Sequence, residues 1–240
     1  MTTSIKISSR FHGPPLSGNG GYSCGLIGKH FEGSAAVRLR IPPPLETPLE
    51  LRSSENGMTL FHDDTVVATA RPTLVDIDIP SPPDFVTAVE ASARYRGFKS
   101  HFYPGCFVCG PERGRGDGLR IFAGPVGEDK DPEGMVAAAW IPDDGLSDSS
   151  GNVAAEFIWA ALDCPGAYSF PEPDEGAILL GELAVSVEKP VRPGQKYVLI
   201  GWEIKHEGRK HYTGTALFGD EGQCHAVAYA TWFEVPSAPT

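Results

Sequence analysis

Cationic residues are in short supply here: 20 Lys and Arg stand against 31 Asp and Glu, a formal net charge of -11. Nucleic acid and anionic membrane surfaces both bind through basic patches, so neither is expected as a partner. Long apolar runs are missing too. None approaches the ~20 residues that a bilayer-spanning helix needs. MTTSIKISSR at the start carries neither an apolar stretch nor a cleavage pattern, so no signal peptide is expected. Cysteine is sparse and odd in number, five residues scattered along the chain, which fits reduced thiols in a cytoplasmic protein. Cys106 and Cys109 form a C-x-x-C pair, and no second pair or His-x-x-x-His follows. His101 is close in sequence but cannot complete four ligands by itself, so the spacing predicts no metal. Gly110-Pro111 follows the pair where a thioredoxin-like site would open a helix. Gly18-Asn19-Gly20-Gly21 lacks the Gly-Lys-Ser/Thr ending of a phosphate loop.

What is present is ample apolar material: 41% of 240 residues are hydrophobic, enough for one large core or two of roughly 100 residues each. The stretch Asn152–Ser169, NVAAEFIWAALDCPGAYS, organises the reading. Phe157, Ile158, Trp159 and Leu162 cover most of a helix's circumference, and Glu156 is the only charge from Val153 to Leu162. A helix apolar on nearly all sides is normally wrapped by other structure. Asn152 is the expected N-cap, and Pro165 should kink or stop the helix. Asp163 then falls in the last turn, where the helix dipole and apolar neighbours both disfavour its charge. Such a residue marks a functional site, or else hydrogen-bonds a nearby loop.

An earlier helix is expected from Ser17 or Asn19 to about Phe31. Asn19-Gly20-Gly21 at its start leaves backbone N–H groups uncovered by side chains, which suits an oxygen of partial negative charge. A plain turn is the competing reading. Alternation predicts strands at Ser4–Arg10, Ala35–Ile41, Leu49–Ser53, Met58–His62 and Thr65–Arg71. Ile79-Pro80-Ser81-Pro82-Pro83 marks a boundary, and a helix over Asp84–Arg96 follows, with Phe85, Val89 and Ala93 on one face. Further strands are predicted at Leu119–Phe122, Met135–Ile141, Leu183–Val187, Tyr197–His206, Lys210–Phe218 and Gln223–Val235, with a hairpin at Glu207-Gly208-Arg209. AVRLRIPPPLETPLEL and AVSVEKPVRPGQKYVLI match in strand, proline break and next strand, a weak internal duplication.

That plan resembles the hot dog fold, in which an antiparallel sheet wraps one long helix. CFVCGPERGRGDGLRIF (Cys106–Phe122) is similar to the entry segment of many hot dog acyl-CoA thioesterases, and the block from Pro190 to Phe233 resembles their strands. The resemblance implies an α+β double hot dog: two antiparallel sheets, each around a central helix, forming a pseudo-dimer. Its units would be residues 1–82 and 101–240, with a linker helix in 83–100.

The same resemblance implies thioester hydrolysis at the interface between units. The substrate carbonyl would meet the start of one helix, and a carboxylate would come from the other. Asp163 stands where the phenylacetyl-CoA thioesterase group carries its catalytic Asp, although the His of that group's His-Gly-Gly motif is absent. On this reading Asp163 is the catalytic acid and Glu156 its rival. Gly20 and Gly21 supply the oxyanion site, and Asn19, Tyr22 and Trp159 bind substrate, with core packing the competing role for the two aromatics. The first helix has no acid before Glu32, so one composite site per chain is expected. Arg113, Arg115, Arg120, Lys189 and Arg192 are candidates for CoA phosphates. No cofactor is implied beyond a CoA thioester as substrate. Implied partners are a small acyl or aryl thioester, an acyl carrier protein, and a second copy in a homodimer. A non-catalytic acyl-thioester binding module and a hydratase or dehydratase are the alternatives.

Overall fold

The alternating segments become strands and the two apolar segments become helices. The computed structural model describes residues 2–127, 134–173 and 175–236. In chain order these comprise β1 (Thr2–Lys6), α1 (Gly20–Gly28), β2 (Ala35–Leu39), β3 (Pro48–Ser54), β4 (Gly57–His62) and β5 (Thr65–Pro72). Then follow α2 (Phe85–Ala93), β6 (Gly124–Pro125), β7 (Val136–Trp140), α3 (Ala155–Ala161), α4 (Cys164–Ala167), β8 (Ala177–Val187), β9 (Tyr197–Glu207), β10 (Lys210–Gly219) and β11 (Cys224–Val235).

The strands form a single antiparallel sheet ordered β1-β3-β4-β5-β2-β8-β11-β10-β9-β7-β6. Instead of two separate sheets, the halves join edge to edge, with Val37 opposite Leu183 at the seam. Outward from that seam the order is β2-β5-β4-β3-β1 on one side and β8-β11-β10-β9-β7-β6 on the other. The first five strands on each side follow the same order along the chain, and the two-residue β6 extends the second side. Arg38 and Arg71 both reach Glu182 across the seam, each at 3.1 Å.

Helices cover both faces of the sheet. α1, α3 and α4 share the main core, whereas α2 lies over β7 and β9 with a smaller core of its own. That two-sided cover explains why Tyr197–Trp202 reads as a continuous apolar run, buried at every position. Gly201 lets α4 sit directly on β9, since a Cβ there would lie 2.5 Å from the Pro165 carbonyl oxygen.

Three local expectations are corrected. Asn152 does not cap α3. Its Nδ2 donates to Ser150 Oγ at 2.9 Å in a turn built on Asp148, and Val153 is extended, donating to the Val191 carbonyl at 2.8 Å. The helix therefore starts only at Ala155. α2 buries Ala88 and Ala91 and leaves Val89 exposed; the helix comes so close at Ala91 that a Cβ on Gly124 of β6 would meet the Ala91 carbonyl. Leu119–Phe122 is not a sheet strand; its Leu119 and Ile121 amides instead bond the Phe107 and Val108 carbonyls.

Candidate functional site

Asn19 caps α1, its Oδ1 accepting the Tyr22 amide at 2.9 Å. Its Nδ2 donates at 2.9 Å to Asp163 Oδ2, and the Gly21 amide donates to the same oxygen at 2.9 Å. The start of α1 and the carboxylate are thus brought together across 142 and 144 positions of sequence. Glycine makes the approach possible. A Cβ on Gly21 would lie 2.5 Å from Asp163 Cβ, and one on Gly25 would lie 2.6 Å from Glu156 Cα. Gly28 faces the Trp159 ring in the same way. Gly21, Gly25 and Gly28 therefore form a flat stripe against which α3 lies. Their spacing of four and three places all three on one helix face, a signal present in the sequence.

Asp163 stands at the break between α3 and α4, where Pro165 enters the first turn of the new helix. Thr215 Oγ1 fixes the break by donating to the Leu162 carbonyl at 2.7 Å. The carboxylate is buried, with 2% exposure, and its Oδ1 has no hydrogen-bond partner among the described residues. Burial pushes its carboxyl up to about 7, against the lowering effect of the Gly21 amide. An unpaired buried acceptor costs about 1–3 kcal/mol, so this oxygen is not explained by stability.

A cavity of about 340 Å³ opens beside it, lined by Asn19, Gly20, Asp163, Leu180, Trp232 and Arg209 among others. Several expected residues do not reach it. Glu156 pairs with Lys29 Nζ at 3.2 Å. Tyr22 stacks on Phe11 with centroids 4.2 Å apart, inside a cluster with Phe107 and Phe157. Trp159 is spent on the α1 contact. None of these three lines the cavity. The Gly21 amide is taken by Asp163, which leaves Gly20 as the helix-start amide available to a ligand. Arg113, Arg115, Arg120, Lys189 and Arg192 lie off this cavity, whereas Arg40 and Arg209 line it. Among the described residues two clusters carry metal-ligating atoms: Cys106, Cys109 and Cys164 on the cavity wall, and His206, His211 and Glu234 on the sheet. Cys164 lies 58 positions from Cys106, so no local spacing links it to the C-x-x-C pair.

No protein-family model matches the sequence, and no curated protein sequence matches it significantly. Solved structures do. The TesB protein of Mycobacterium avium subsp. paratuberculosis superposes with a TM-score of 0.64 at 12% identity, over 98% of this chain and 93% of its own. Acyl-CoA thioesterase II TesB2 from Mycobacterium marinum gives 0.59 at 11% identity, over 93% and 92%. A protein described as having a hot dog fold, from Alicyclobacillus acidocaldarius, gives 0.55 at 11% identity, over 100% and 94%. The chain has the hot dog fold expected from its sequence, and structures named thioesterases share it.

Proposed function

We propose that this protein is a double hot dog hydrolase of small acyl or aryl thioesters, with acyl-CoA as the favoured carrier. The two units are residues 1–82 and 101–240, and one composite site serves the chain. The observation that carries this reading is Asp163, which lines the cavity: one oxygen is clamped by α1, while the other is buried and unpaired among the described residues.

In the proposed reaction the thioester carbonyl oxygen lies against the Gly20 amide, an oxyanion donor of the kind worth roughly 2.7–4 kcal/mol. Asp163 Oδ1 takes a proton from water as the water oxygen bonds to the acyl carbon. The C–S bond then breaks, and the proton held by Asp163 passes to the departing thiolate, giving carboxylic acid and thiol. Direct attack by Asp163 is the covalent variant of the same step. The apolar wall at Leu180 and Trp232 suits an acyl or aryl group, and the Arg40 and Arg209 cations suit CoA phosphates.

One observation favours a second reading, a non-catalytic acyl-thioester binding module. With the Gly21 amide taken up by Asp163, the oxyanion site rests on a single helix-start donor. A panel of acyl-CoA and aryl-CoA thioesters, followed by free-thiol release, separates the two. Turnover of any member supports hydrolysis, whereas tight binding without thiol release installs the binding module.

A further inference from the structure

Cys106, Cys109 and Cys164 are all buried, and their sulfurs lie within 4.8 Å of one another. Cys106 Sγ is 4.0 Å from Cys164 Sγ, and Cys109 Sγ is 3.4 Å from His101 Nε2. Zinc binds thiolate at about 2.3 Å and imidazole at about 2.0–2.1 Å. A tetrahedron with those bonds has edges of about 3.8 Å between sulfurs and about 3.5 Å from sulfur to nitrogen. The Cys106–Cys164 and Cys109–His101 separations lie close to these values; His101 Nε2 stands outside the 4.8 Å group that the three sulfurs form, so its ring must close toward the other sulfurs when an ion binds.

The surroundings suit thiolates. The Cys106–Cys109 segment turns tightly, with the Gly110 amide bonded to the Cys106 carbonyl at 2.9 Å. Gly110 has no room for a Cβ, which would lie 2.5 Å from the carbonyl oxygens of Cys106 and Pro104. Asn19 Nδ2 approaches the Cys106 sulfur at 3.9 Å. Donors of this kind orient and stabilise ligands bound to a metal. A disulfide would use two of the three sulfurs and leave the third without a role.

We propose that Cys106, Cys109 and Cys164 bind one zinc-class divalent ion, with His101 Nε2 as the fourth ligand. This replaces the expectation of no metal drawn from C-x-x-C spacing alone, and it does not depend on the hydrolase reading. Binding releases the three thiol protons to solvent. His101 Nδ1 now accepts the Tyr103 amide at 2.9 Å, so its ring proton sits on Nε2. Coordination moves that proton to Nδ1 and gives up the Tyr103 bond, which makes His101 the weakest of the four ligands. With four protein ligands the site is closed and structural. It pins the segment from His101 to Gly110 onto α4, along the cavity wall next to Asp163.

The test uses the full chain, purified reduced and without a metal-chelating resin. Elemental analysis should find one zinc per chain. After chelation, Co²⁺ added to the wild type should give the visible absorption of a tetrahedral ion with thiolate charge-transfer bands. Cys164→Ser should abolish those bands, and Cys224→Ser, outside the cluster, should keep them. His101→Gln should weaken affinity tenfold or more while retaining the charge-transfer bands. Should Cys164→Ser fail to fold, the wild-type cobalt titration decides by itself. A folded, reduced wild type that takes up neither ion overturns the proposal, as does Cys164→Ser binding cobalt like the wild type. A Cys106–Cys164 disulfide in protein that takes up no metal overturns it as well. Unchanged affinity in His101→Gln overturns the assignment of the fourth ligand.

Discussion

Gly21 and Asp163 are matched in two ways: the Gly21 amide donates to Asp163 Oδ2 at 2.9 Å, and the Cβ that Gly21 lacks would lie 2.5 Å from Asp163 Cβ. The side chain of one and the missing side chain of the other define the same contact. Gly21→Ala must therefore push α1 away from the α3–α4 break and stretch that hydrogen bond. Overpacking of this sort typically costs about 1–3 kcal/mol. The denaturation midpoint in urea should fall accordingly, and thiol release should fall with it. A Gly21→Ala protein with the wild-type midpoint would show that the helices separate freely there.

Asp163→Asn keeps the shape of the residue. Its amide oxygen can still accept from Asn19 and Gly21, which leaves the NH₂ in the place of the unpaired Oδ1. We expect folding and ligand binding to survive and turnover to drop by about a hundredfold or more, as for loss of a general base. Glu156→Gln breaks only a partly exposed pair with Lys29, of a class worth about 1 kcal/mol or less, and turnover should hold. If Glu156→Gln abolishes thiol release and Asp163→Asn does not, Glu156 and not Asp163 is the acid.

Asn19 does two jobs, capping α1 and holding Asp163. Serine is as good a cap as asparagine, whereas alanine costs about 0.5–2 kcal/mol at such a position. Asn19→Ser should thus be more stable than Asn19→Ala, yet neither can donate to Asp163 as the amide does. Turnover should fall alike in both. Wild-type turnover in Asn19→Ser would mean that the Asn19–Asp163 bond contributes nothing to the reaction.

Arg40 and Arg209 line the cavity. If they meet CoA phosphates, Arg40→Glu and Arg209→Glu should raise KM for a CoA thioester and leave KM for the matching pantetheine thioester unchanged. Equal effects on both substrates would remove phosphate recognition from these residues.

Residues 1–82 alone would lose β8, the strand that covers β2 at the seam, and α3, against which the glycine stripe of α1 rests. An exposed sheet edge and a bare helix face leave too little buried surface for a fold. The fragment should be insoluble, or molten with ANS binding. A well-dispersed NMR spectrum of a monomer would contradict this.

Several features follow from the sequence by itself because the physics behind them is local. Side-chain alternation set the strands from Ala35 to Thr65 within a residue or two, and Asn19-Gly20-Gly21 opened a helix because a capping side chain needs only the next turn. Pro165 forced a break near Asp163 for an equally local reason, its missing N–H. Tertiary structure decided the rest. Glu156 and Asp163 have similar sequence credentials, but the crossing of α1 and α3 hands one to Lys29 and the other to Asn19 and Gly21. Tyr22 and Trp159 were drawn into the core by the same crossing. Cys164 joins Cys106 and Cys109 only because α4 packs beside that turn, a contact between segments 58 positions apart. Periodicity reports which face of an element is buried, whereas the identity of the neighbour on that face depends on how the two halves of the sheet meet at β2 and β8.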